Sequence, residues 1–503
     1  MDAFATQTKQ DFLYEQIADD IAAMIKSGSF RLGDRIPSVR ELSRKRGVSI
    51  TTVMQAYRSL EDKGLIEARP QSGYYVRLRQ LPGLPNPDPI SHTTLNSADI
   101  SVQDLVMKIY HDQMRTGMVQ FGTALPDPNL LPTARLNRIL ASISRKPDFR
   151  HNVCGVVEGC DELRVQVAKH SYQYGCRLAP EDVLITSGCG EAISLALQAT
   201  CKPGDTVAIE SPTFFNLLQT LEAQGLRALE IPTHPVTGIS VDALRFAIEH
   251  QSVQACLFIT NFNNPLGSLM PNERKAEMVA LLAEHEIPLI EDDINGELFF
   301  SGERPNVAKA YDKNGLVLLC SSFSKDISPS FRVGWIAPGR YLEEIKRLKL
   351  VSNIAPPILP QLAIAEFLAS GGYDHHLRNI RKAYAKKTAC MADAVLRYFP
   401  PGTHVSSPQG GFVLWVQMAE TVDALEMYSQ ALKLGITIVP GQVFSPSAGY
   451  RNYIRLNTAP WSDQTAWAVQ RLGMLAAQLE KANWKKPATS ESISPYEQVI
   501  SRR

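Results

Sequence analysis

One lysine and an acid some thirty residues upstream have the types and settings needed to hold an aldehyde-bearing ligand. Lys325 stands in Ser322–Lys325, and Arg332 follows seven residues later. An amine that bonds to an aldehyde works best where a cationic, partly desolvated pocket disfavours its charged form. Asp292 ends the apolar run Pro288–Ile290, which predicts a buried parallel strand. An ionised acid there needs a cationic partner, because burying an unpaired charge is costly.

Other polar residues supply the remaining contacts of one cofactor, pyridoxal phosphate (PLP). In this hypothesis Lys325 holds PLP as a Schiff base, and Asp292 keeps the ring nitrogen protonated. The side-chain amide of Asn264 can donate to the ring phenolate oxygen without adding charge. The phosphate needs hydroxyl groups, backbone N–H groups at a helix start, and a guanidinium. The candidates are Ser322, Arg332 and the turn residues Cys189 and Gly190.

Each of these residues alone has an ordinary structural explanation. A lysine beside serines is usually a solvated surface group, an Asn-Pro pair is usually a turn, and a strand arginine often closes an ion pair. The set favours PLP because five required roles occur in one chain. Several of its members are expected at strand ends or tight turns, where α/β sheets form ligand sites.

Residues from about 120 to 480 resemble a fold-type I aminotransferase. The resemblance rests on the motifs Thr260–Gly267, Glu291–Asp293 and Ser322–Lys325. It implies that Lys325 is the Schiff-base lysine, Asp292 the partner of the pyridine nitrogen and Asn264 the phenolate donor. It also implies that Phe214 stacks on the cofactor and that Arg455 clamps a ligand's α-carboxylate.

Two positions depart from that family. A tyrosine that usually follows the acidic pair and bonds the phenolate oxygen is absent, and Asn295 is expected in its place. Cys154 stands where the family commonly has a tyrosine that reaches a neighbouring subunit's phosphate. Both departures are compatible with cofactor binding and argue against rapid turnover.

The first eighty residues have the pattern of a small helical module. Leu13, Ile17, Ile21 and Ile25 recur every four residues and predict an amphipathic helix over 12–26. A second helix is expected after Pro37, Gly47 turns the chain, and a third helix is expected over 50–63 with Ser49 as its cap. Residues 65–69 and 73–76 predict a hairpin. The sequence therefore predicts a helix-turn-helix with a wing.

This module resembles a GntR-type winged helix, through Gly33–Leu42, Gly47–Val53 and Leu60–Ile66. The resemblance implies DNA contacts by residues near the start of the second and third helices and at the wing. Those residues are Arg40, Ser49, Thr51, Thr52 and Gly73. The family often has arginines within the third helix, whereas Ile50 and Met54 stand at those positions here, so no base preference carries over.

A GntR-like module followed by an aminotransferase-like region is the arrangement of MocR-type transcription regulators, which this chain resembles over nearly its whole length. The expected fold is α/β: an N-terminal winged helix-turn-helix, then a fold-type I domain with a mainly parallel sheet covered by helices and a smaller α+β domain. The expected boundaries are 1–80 for DNA binding, 81–99 for a proline-rich linker, 100–484 for the PLP-binding domain and 485–503 for a mobile tail.

Composition agrees with this division. The chain has 503 residues, 44% of them hydrophobic, which is enough for more than one domain. Residues 1–80 hold 13 Lys and Arg against 10 Asp and Glu, a net of +3 in a chain whose net charge is only +1. No apolar run reaches membrane-spanning length and no signal peptide begins the chain, so a cytoplasmic protein is expected. No histidine or cysteine spacing indicates a metal site.

The sequence predicts a homodimeric regulator that binds double-stranded DNA and senses PLP or an amino compound. The dimer is implied by resemblance, because fold-type I enzymes share active sites across two subunits. Two alternatives stay open. One is a working aminotransferase with an autoregulatory DNA-binding head, and the other is a regulator whose aminotransferase-like region serves only as a dimerisation scaffold. The operator, the target genes and the sign of regulation do not follow from the sequence.

Overall fold

The computed structural model describes most of the chain between residues 13 and 483. The described ranges are 13–26, 29–30, 34–63, 65–69, 72–76, 86–88, 97, 103–113, 115–146, 148 and 155–483. The predicted tail 485–503, most of the predicted linker 81–99, and Cys154 lie outside these ranges.

The N-terminal module contains three helices and a two-stranded antiparallel hairpin. Its elements are α1 (Leu13–Lys26), α2 (Val39–Arg46), α3 (Ile50–Asp62), β1 (Ile66–Arg69) and β2 (Gly73–Val76). They enclose a core of their own, with Ile17 and Ile21 from α1 packed against Val53 and Leu60 from α3. Leu13, the first described residue of α1, is the exception to the predicted stripe, since it is 53% exposed.

Local sequence sets the turn between α2 and α3. Gly47 ends α2 with φ +64°, a left-handed conformation that glycine adopts without steric cost. Ser49 then caps α3, and its Oγ accepts a hydrogen bond from the backbone N–H of Thr52 at 3.0 Å. The predicted helix-turn-helix with its wing is confirmed.

The rest of the described chain alternates strands and helices and then becomes mainly helical. The helices are α4 (Gln103–Gln113), α5 (Thr133–Arg145), α6 (Asp161–Ser171), α7 (Cys189–Thr200), α8 (Phe215–Ala223), α9 (Val241–His250), α10 (Asn272–Glu284), α11 (Leu342–Ser352), α12 (Ile358–Ala369), α13 (Gly372–Tyr398), α14 (Ala424–Lys433) and α15 (Ala466–Asn483). The strands are β3 (Val119–Gln120), β4 (Leu184–Thr186), β5 (Thr206–Ser211), β6 (Arg227–His234), β7 (Gly238–Ile239), β8 (Ala255–Phe258), β9 (Leu289–Asp292), β10 (Val317–Ser322), β11 (Gly334–Ala337), β12 (His404–Val405), β13 (Val413–Gln417), β14 (Ile436–Thr437), β15 (Val439–Pro440) and β16 (Tyr453–Asn457).

Eight strands form one large sheet in the order β4-β11-β10-β9-β8-β5-β6-β7. Strands β10, β9, β8, β5 and β6 run parallel, and β11 is antiparallel to both of its neighbours. Strand β4 therefore points the same way as β10. The carboxyl ends of β4, β5, β8, β9 and β10 consequently meet at one edge of the sheet, which is where open α/β sheets bind ligands.

The smaller domain is built on a four-stranded antiparallel sheet, β12-β13-β16-β15. Helices α13, α14 and α15 pack around it, and Trp415 and Leu456 lie fully buried in its core. The predicted α/β fold with a mainly parallel sheet and a smaller α+β domain is confirmed. No helix in the described part of the chain combines the length and the apolar character needed to cross a membrane.

Candidate functional site

A large cavity opens at the carboxyl edge of the eight-stranded sheet, and nearly all the predicted ligand-binding residues line it. Its volume is about 1370 Å³. The segments that follow β4, β5, β8, β9 and β10 each contribute a side chain. The predicted residues along the wall are Cys189, Gly190, Phe214, Asn264, Asp292, Asn295, Ser322, Lys325 and Arg332. The structure therefore brings these nine together, whereas Arg455 is not among the residues that line the cavity.

Lys325 lies three residues beyond β10 with its amine in the cavity. Its Nζ donates a hydrogen bond to the carbonyl oxygen of Ala124 at 2.6 Å and lies 5.8 Å from the ring centre of Phe412. Burial lowers the pKa of Lys325 to about 8, and the positive charge of Arg455 acts in the same direction. The amine is therefore closer to its neutral, nucleophilic form than an exposed lysine would be.

Asp292 ends β9 beneath the same cavity and is 4% exposed. Its Oδ1 accepts hydrogen bonds from the backbone N–H of Ile294 at 3.0 Å and from the thiol of Cys189 at 3.4 Å. Burial raises the pKa of Asp292 to about 6. Since both of these bonds use Oδ1, the second oxygen is available to a cationic ligand group, and such a group would restore the ionised form.

The start of α7 and the loop after β10 form an anion-binding corner. Gly188 precedes α7 with φ +87°, and a side chain there would collide with the Arg332 guanidinium at 2.4 Å. Gly190, in the first turn, faces open space. Arg332 donates to the carbonyl oxygen of Ser187 at 3.2 Å and forms no ion pair with the described residues. A helix start, a guanidinium and the hydroxyl of Ser322 together suit a phosphate.

Three further predicted residues lie on the cavity wall beside Lys325 and Asp292. Asn264 is 7% exposed, and its amide oxygen has no hydrogen-bond partner among the described residues. Asn295 is also nearly buried, and its amide nitrogen donates to the carbonyl oxygen of Phe262 at 3.0 Å. Phe214 immediately precedes α8 and packs against Phe215 with ring centres 4.8 Å apart.

Arg455 has an environment that buried arginines rarely have. It lies in β16 with no solvent exposure, and one terminal nitrogen donates to the carbonyl oxygen of Gly122. Its Nε and its other terminal nitrogen have no partner in the described part of the chain, and no acid pairs with it there. Burial lowers the pKa of this guanidinium. Such an arrangement is costly unless an anion is bound, since unpaired buried charges destabilise a fold.

The sequence did not single out several residues that complete the cavity. Asn457 is two residues beyond Arg455 in the same strand, so period-two alternation could have pointed to it. Lys387, on α13, pairs with Asp127 at 2.8 Å, and both residues line the cavity. Tyr110, on α4, donates to Asn216 at 2.7 Å. No local motif marks Lys387 or Tyr110, because long-range folding alone brings them to the site.

A buried ion-pair network supports the loop that carries Asp292 and Asn295. Asp293 pairs with Arg304, and these side chains are 1% and 5% exposed. Arg304 also pairs with Glu297 at 2.8 Å, and Arg381 from α13 reaches Glu297 at 2.9 Å. The network ties the end of β9 to α13, and it thereby fixes the direction in which the loop presents its side chains to the cavity.

The residues predicted to contact DNA lie on α2, at the start of α3 and on the wing; Arg40, Ser49 and Thr51 are exposed, and Thr52 and Gly73 are partly buried. Arg40 is exposed in the first turn of α2 and forms no ion pair with the described residues. Ser49 lies 2.7 Å from the hydroxyl oxygens of both Thr51 and Thr52. Gly73 begins β2 with φ +101°, and a side chain there would meet Arg35 at 3.3 Å. These residues form a small polar surface with fixed hydroxyl positions.

Family models match two parts of the chain. The model described as aminotransferase class I and II matches residues 137–472. The model described as bacterial regulatory proteins of the gntR family matches residues 13–76. The two matches fall on the two parts of the chain that the fold separates.

Whole-chain relatives and solved structures agree with those matches. The chain is 38% identical over 463 residues to an uncharacterized HTH-type transcriptional regulator, YdcR, of Escherichia coli, covering 92% of this chain and 98% of that protein. YjiR, a second Escherichia coli protein of the same description, is 37% identical with the same coverage. Among solved structures, the α-aminoadipate aminotransferase LysN of Thermus thermophilus, complexed with N-(5'-phosphopyridoxyl)-L-leucine, matches with a TM-score of 0.69 and 26% identity over 76% of this chain and all of that one.

Proposed function

The chain belongs to the aminotransferase class I and II family and carries a gntR-family module ahead of that region, and from this we propose that it is a transcriptional regulator controlled by PLP. In this proposal residues 1–80 bind DNA, 81–99 link, and 100–484 hold the cofactor on Lys325 and sense PLP or an amino compound. The observation that carries the proposal is the convergence of Lys325, Asp292 and an anion-binding corner in one cavity. The region that forms this cavity follows a gntR-family module in the sequence.

The residues present fit PLP. Asp292 offers a free oxygen in a site whose burial raises its pKa, so a protonated ring nitrogen is a favourable partner. Asn264 lines the cavity with a side-chain amide whose nitrogen can donate to the ring oxygen, and Arg332 with the start of α7 suits the phosphate. Bound PLP supplies a carbonyl carbon that adds amines and an electron-withdrawing ring. The family relative bound to a phosphopyridoxyl amino acid supports the same cofactor here.

An amino compound is the ligand class that the remaining geometry favours. Arg455 holds two unpaired nitrogen groups and no acid partner among the described residues, so a carboxylate would satisfy both the charge and the hydrogen bonds. The amine of such a ligand would compete with Lys325 for the cofactor. Because a ligand shifts a conformational equilibrium only by its differential affinity, the bound ligand must favour one arrangement of the two domains.

The linker offers a route from the body to the DNA-binding head. The backbone N–H of Asp88 donates to the side-chain oxygen of Gln417 at 2.9 Å, and the Gln417 amide donates back to the Asp88 carboxylate at 2.9 Å. Further along, the carbonyl oxygen of Ser97 accepts from Arg227 of the large sheet at 3.1 Å. Asp88 and Ser97 of the linker are thus each attached to a different domain of the body, so movement between these domains would change the distance between the two attachment points.

An exposed apolar surface supports a homodimer. At the end of α11, Leu350, Val351 and Ile354 are 53%, 89% and 46% exposed, and Val156 on an adjoining loop is 60% exposed. Clustered apolar exposure of this kind marks protein interfaces. A dimer would present two heads to half-sites separated by about 34 Å or multiples of it. Val351→Glu should therefore produce monomers in sedimentation experiments, whereas a dimer of unchanged stability would contradict this assignment.

DNA-binding measurements with and without PLP test the central proposal. The parent and Lys325→Ala are titrated against duplex DNA at one fixed salt concentration, since phosphate contacts make affinity salt-dependent. We expect PLP to change the affinity of the parent and to leave the variant unaffected. Identical curves for all four combinations would remove the cofactor from the switching mechanism. Borohydride reduction and peptide mapping should find the cofactor on Lys325.

Transamination is a second candidate function. It is favoured by the joint presence of Lys325, Asp292 and Arg455, whose Nε and one terminal nitrogen have no hydrogen-bond partner among the described residues. Incubation of the PLP-loaded protein with a panel of amino acids separates the two. Rapid conversion of the cofactor to its amine form, with release of a 2-oxo acid, would support an enzyme. A spectral change without turnover would support a sensor.

A further inference from the structure

The outer face of α3 carries apolar side chains that the core of the N-terminal module does not use. Ile50 and Met54 are 49% and 39% exposed, while Val53 and Tyr57 on the inner face are fully buried. Residues four apart lie on the same side of a helix, so Ile50 and Met54 form one outward stripe. Gln55 is exposed beside it. The helix therefore has a second apolar surface, directed away from its own fold.

Exposed arginines accompany this stripe on α2 and α3. Arg58 continues it by one further turn, and Arg40 and Arg44 are exposed on α2. None of the three forms an ion pair with the described residues, although Lys45 and Arg46 of the same helix pair with acids at 3.0 and 2.7 Å. An apolar stripe on a helix-turn-helix that also exposes these arginines matches a polyanion with apolar groups in its groove, whereas a purely apolar protein partner would offer the arginines no counter-charge.

We propose that Ile50 and Met54 contact the C5-methyl groups of thymines in the major groove, so that the operator half-site is recognised mainly through A·T pairs. Thymine is the base that presents a methyl group in that groove. The neighbouring Gln55 amide suits adenine, whose N6 and N7 form the matching donor and acceptor pair. This inference rests on the proposed DNA-binding function and adds the class of sequence that the head selects.

Removing single methyl groups from the DNA tests the contact directly. Full-length protein selects duplexes from a random library at fixed salt, and the enriched duplex is then synthesised with deoxyuridine at each thymine in turn. Deoxyuridine pairs like thymidine and lacks only the C5-methyl. We expect about a fourfold loss of affinity at each contacted thymine. Ile50→Ala and Met54→Ala should each abolish the loss at one of these positions.

Met24→Ala is the matched control, because Met24 is 40% exposed on α1, outside the proposed groove-facing helix. This variant should leave the ratio of affinities for the thymidine and deoxyuridine duplexes unchanged at every position. Equal affinity for both bases at all positions would overturn the inference while leaving DNA binding intact. Methyl sensitivity that persists in both α3 variants would overturn the assignment to these residues. The same conclusion would follow if the α3 variants changed the oligomeric state of the protein but left the ratio of affinities for the thymidine and deoxyuridine duplexes unchanged. Failure to enrich any duplex would instead refute the proposed function itself.

Discussion

At the scale of single residues, the lowered basicity of Lys325 predicts how cofactor capture depends on pH. The amine must be neutral to bond to PLP, and burial with nearby Arg455 lowers its pKa to about 8. The rate of capture should therefore rise through about pH 8, whereas an ordinary lysine would require about pH 10. Stopped-flow absorbance after mixing cofactor-free protein with PLP measures this.

A substitution of the neighbouring carboxylate tests whether electrostatics set the midpoint of that pH profile. Asp292 raises the pKa of Lys325, so Asp292→Asn should move the midpoint of capture to lower pH and weaken retention of the cofactor. A capture rate that stays low until about pH 10 in the parent would contradict the lowered pKa.

The environment of Arg455 predicts that this side chain lowers the stability of the ligand-free protein and is needed for the response to a ligand. Its charge is buried without a counter-ion among the described residues. When the arginine is removed, the carbonyl oxygen of Gly122 still accepts a hydrogen bond from the side-chain amide of Gln113 at 2.8 Å. Arg455→Met should leave the ligand-free body as stable as the parent or about 1–4 kcal/mol more stable. The response of DNA affinity to amino carboxylates should be lost, while PLP binding persists.

Thermal unfolding and titration with amino acids measure both effects. Arg451→Met is the control, since Arg451 is 58% exposed and pairs with Asp423 on the surface of the same domain. That variant should change stability by less than about 0.5 kcal/mol and keep the response. A large loss of stability in Arg455→Met would show that the arginine is structural.

At the scale of elements, the network behind β9 should control the order of the loop that faces the cavity. Arg304 is 5% exposed and pairs with both Asp293 and Glu297. Arg304→Met leaves the buried Asp293 carboxylate without its cationic partner and Glu297 with Arg381 alone, which should cost about 3–5 kcal/mol. Because the loop carries Asn295 next to Asp292, PLP affinity should fall as well.

An exposed pair of the same chemistry gives the comparison. Arg347 is 78% exposed and pairs with Glu344 within α11, so Arg347→Met should cost at most about 1 kcal/mol and leave PLP affinity unchanged. Chemical denaturation and PLP titration of both variants decide the matter. Equal losses in the two variants would mean that burial of the network contributes nothing.

At the scale of the whole molecule, the two hydrogen bonds between the linker and Gln417 predict where ligand binding and DNA binding are coupled. Gln417→Ala removes both bonds to Asp88 without touching the cavity wall or the head. PLP affinity and the DNA affinity of the ligand-free protein should stay near their parent values. The ligand-dependent change in DNA affinity should shrink.

A glutamine elsewhere in the smaller domain serves as the control for that experiment. Among the described residues, the Gln430 side chain bonds only to Glu426 of its own helix α14, at 3.2 Å, so Gln430→Ala should retain the full response. An undiminished response in Gln417→Ala would rule out this contact as the route of coupling.

The sequence by itself determined the two-part fold and most of the cavity wall. Gly47 and Ser49 set the turn and cap locally, and the apolar runs that end at Asp292 and Ser322 specify parallel strands. Strand carboxyl ends share one edge, so their polar residues had to converge. These features depend on chemistry within a few residues, which a sequence carries explicitly.

Only the tertiary structure decided which side chains are left unpaired. Among the described residues it revealed Arg455 without an acid partner, Lys387 paired with Asp127 at the cavity wall, and the exposed pair Ile50 and Met54 on α3. Burial and pairing depend on contacts between segments hundreds of residues apart, such as Asp127 with Lys387. Local periodicity contains no record of such contacts, because it reports only on neighbours within one element.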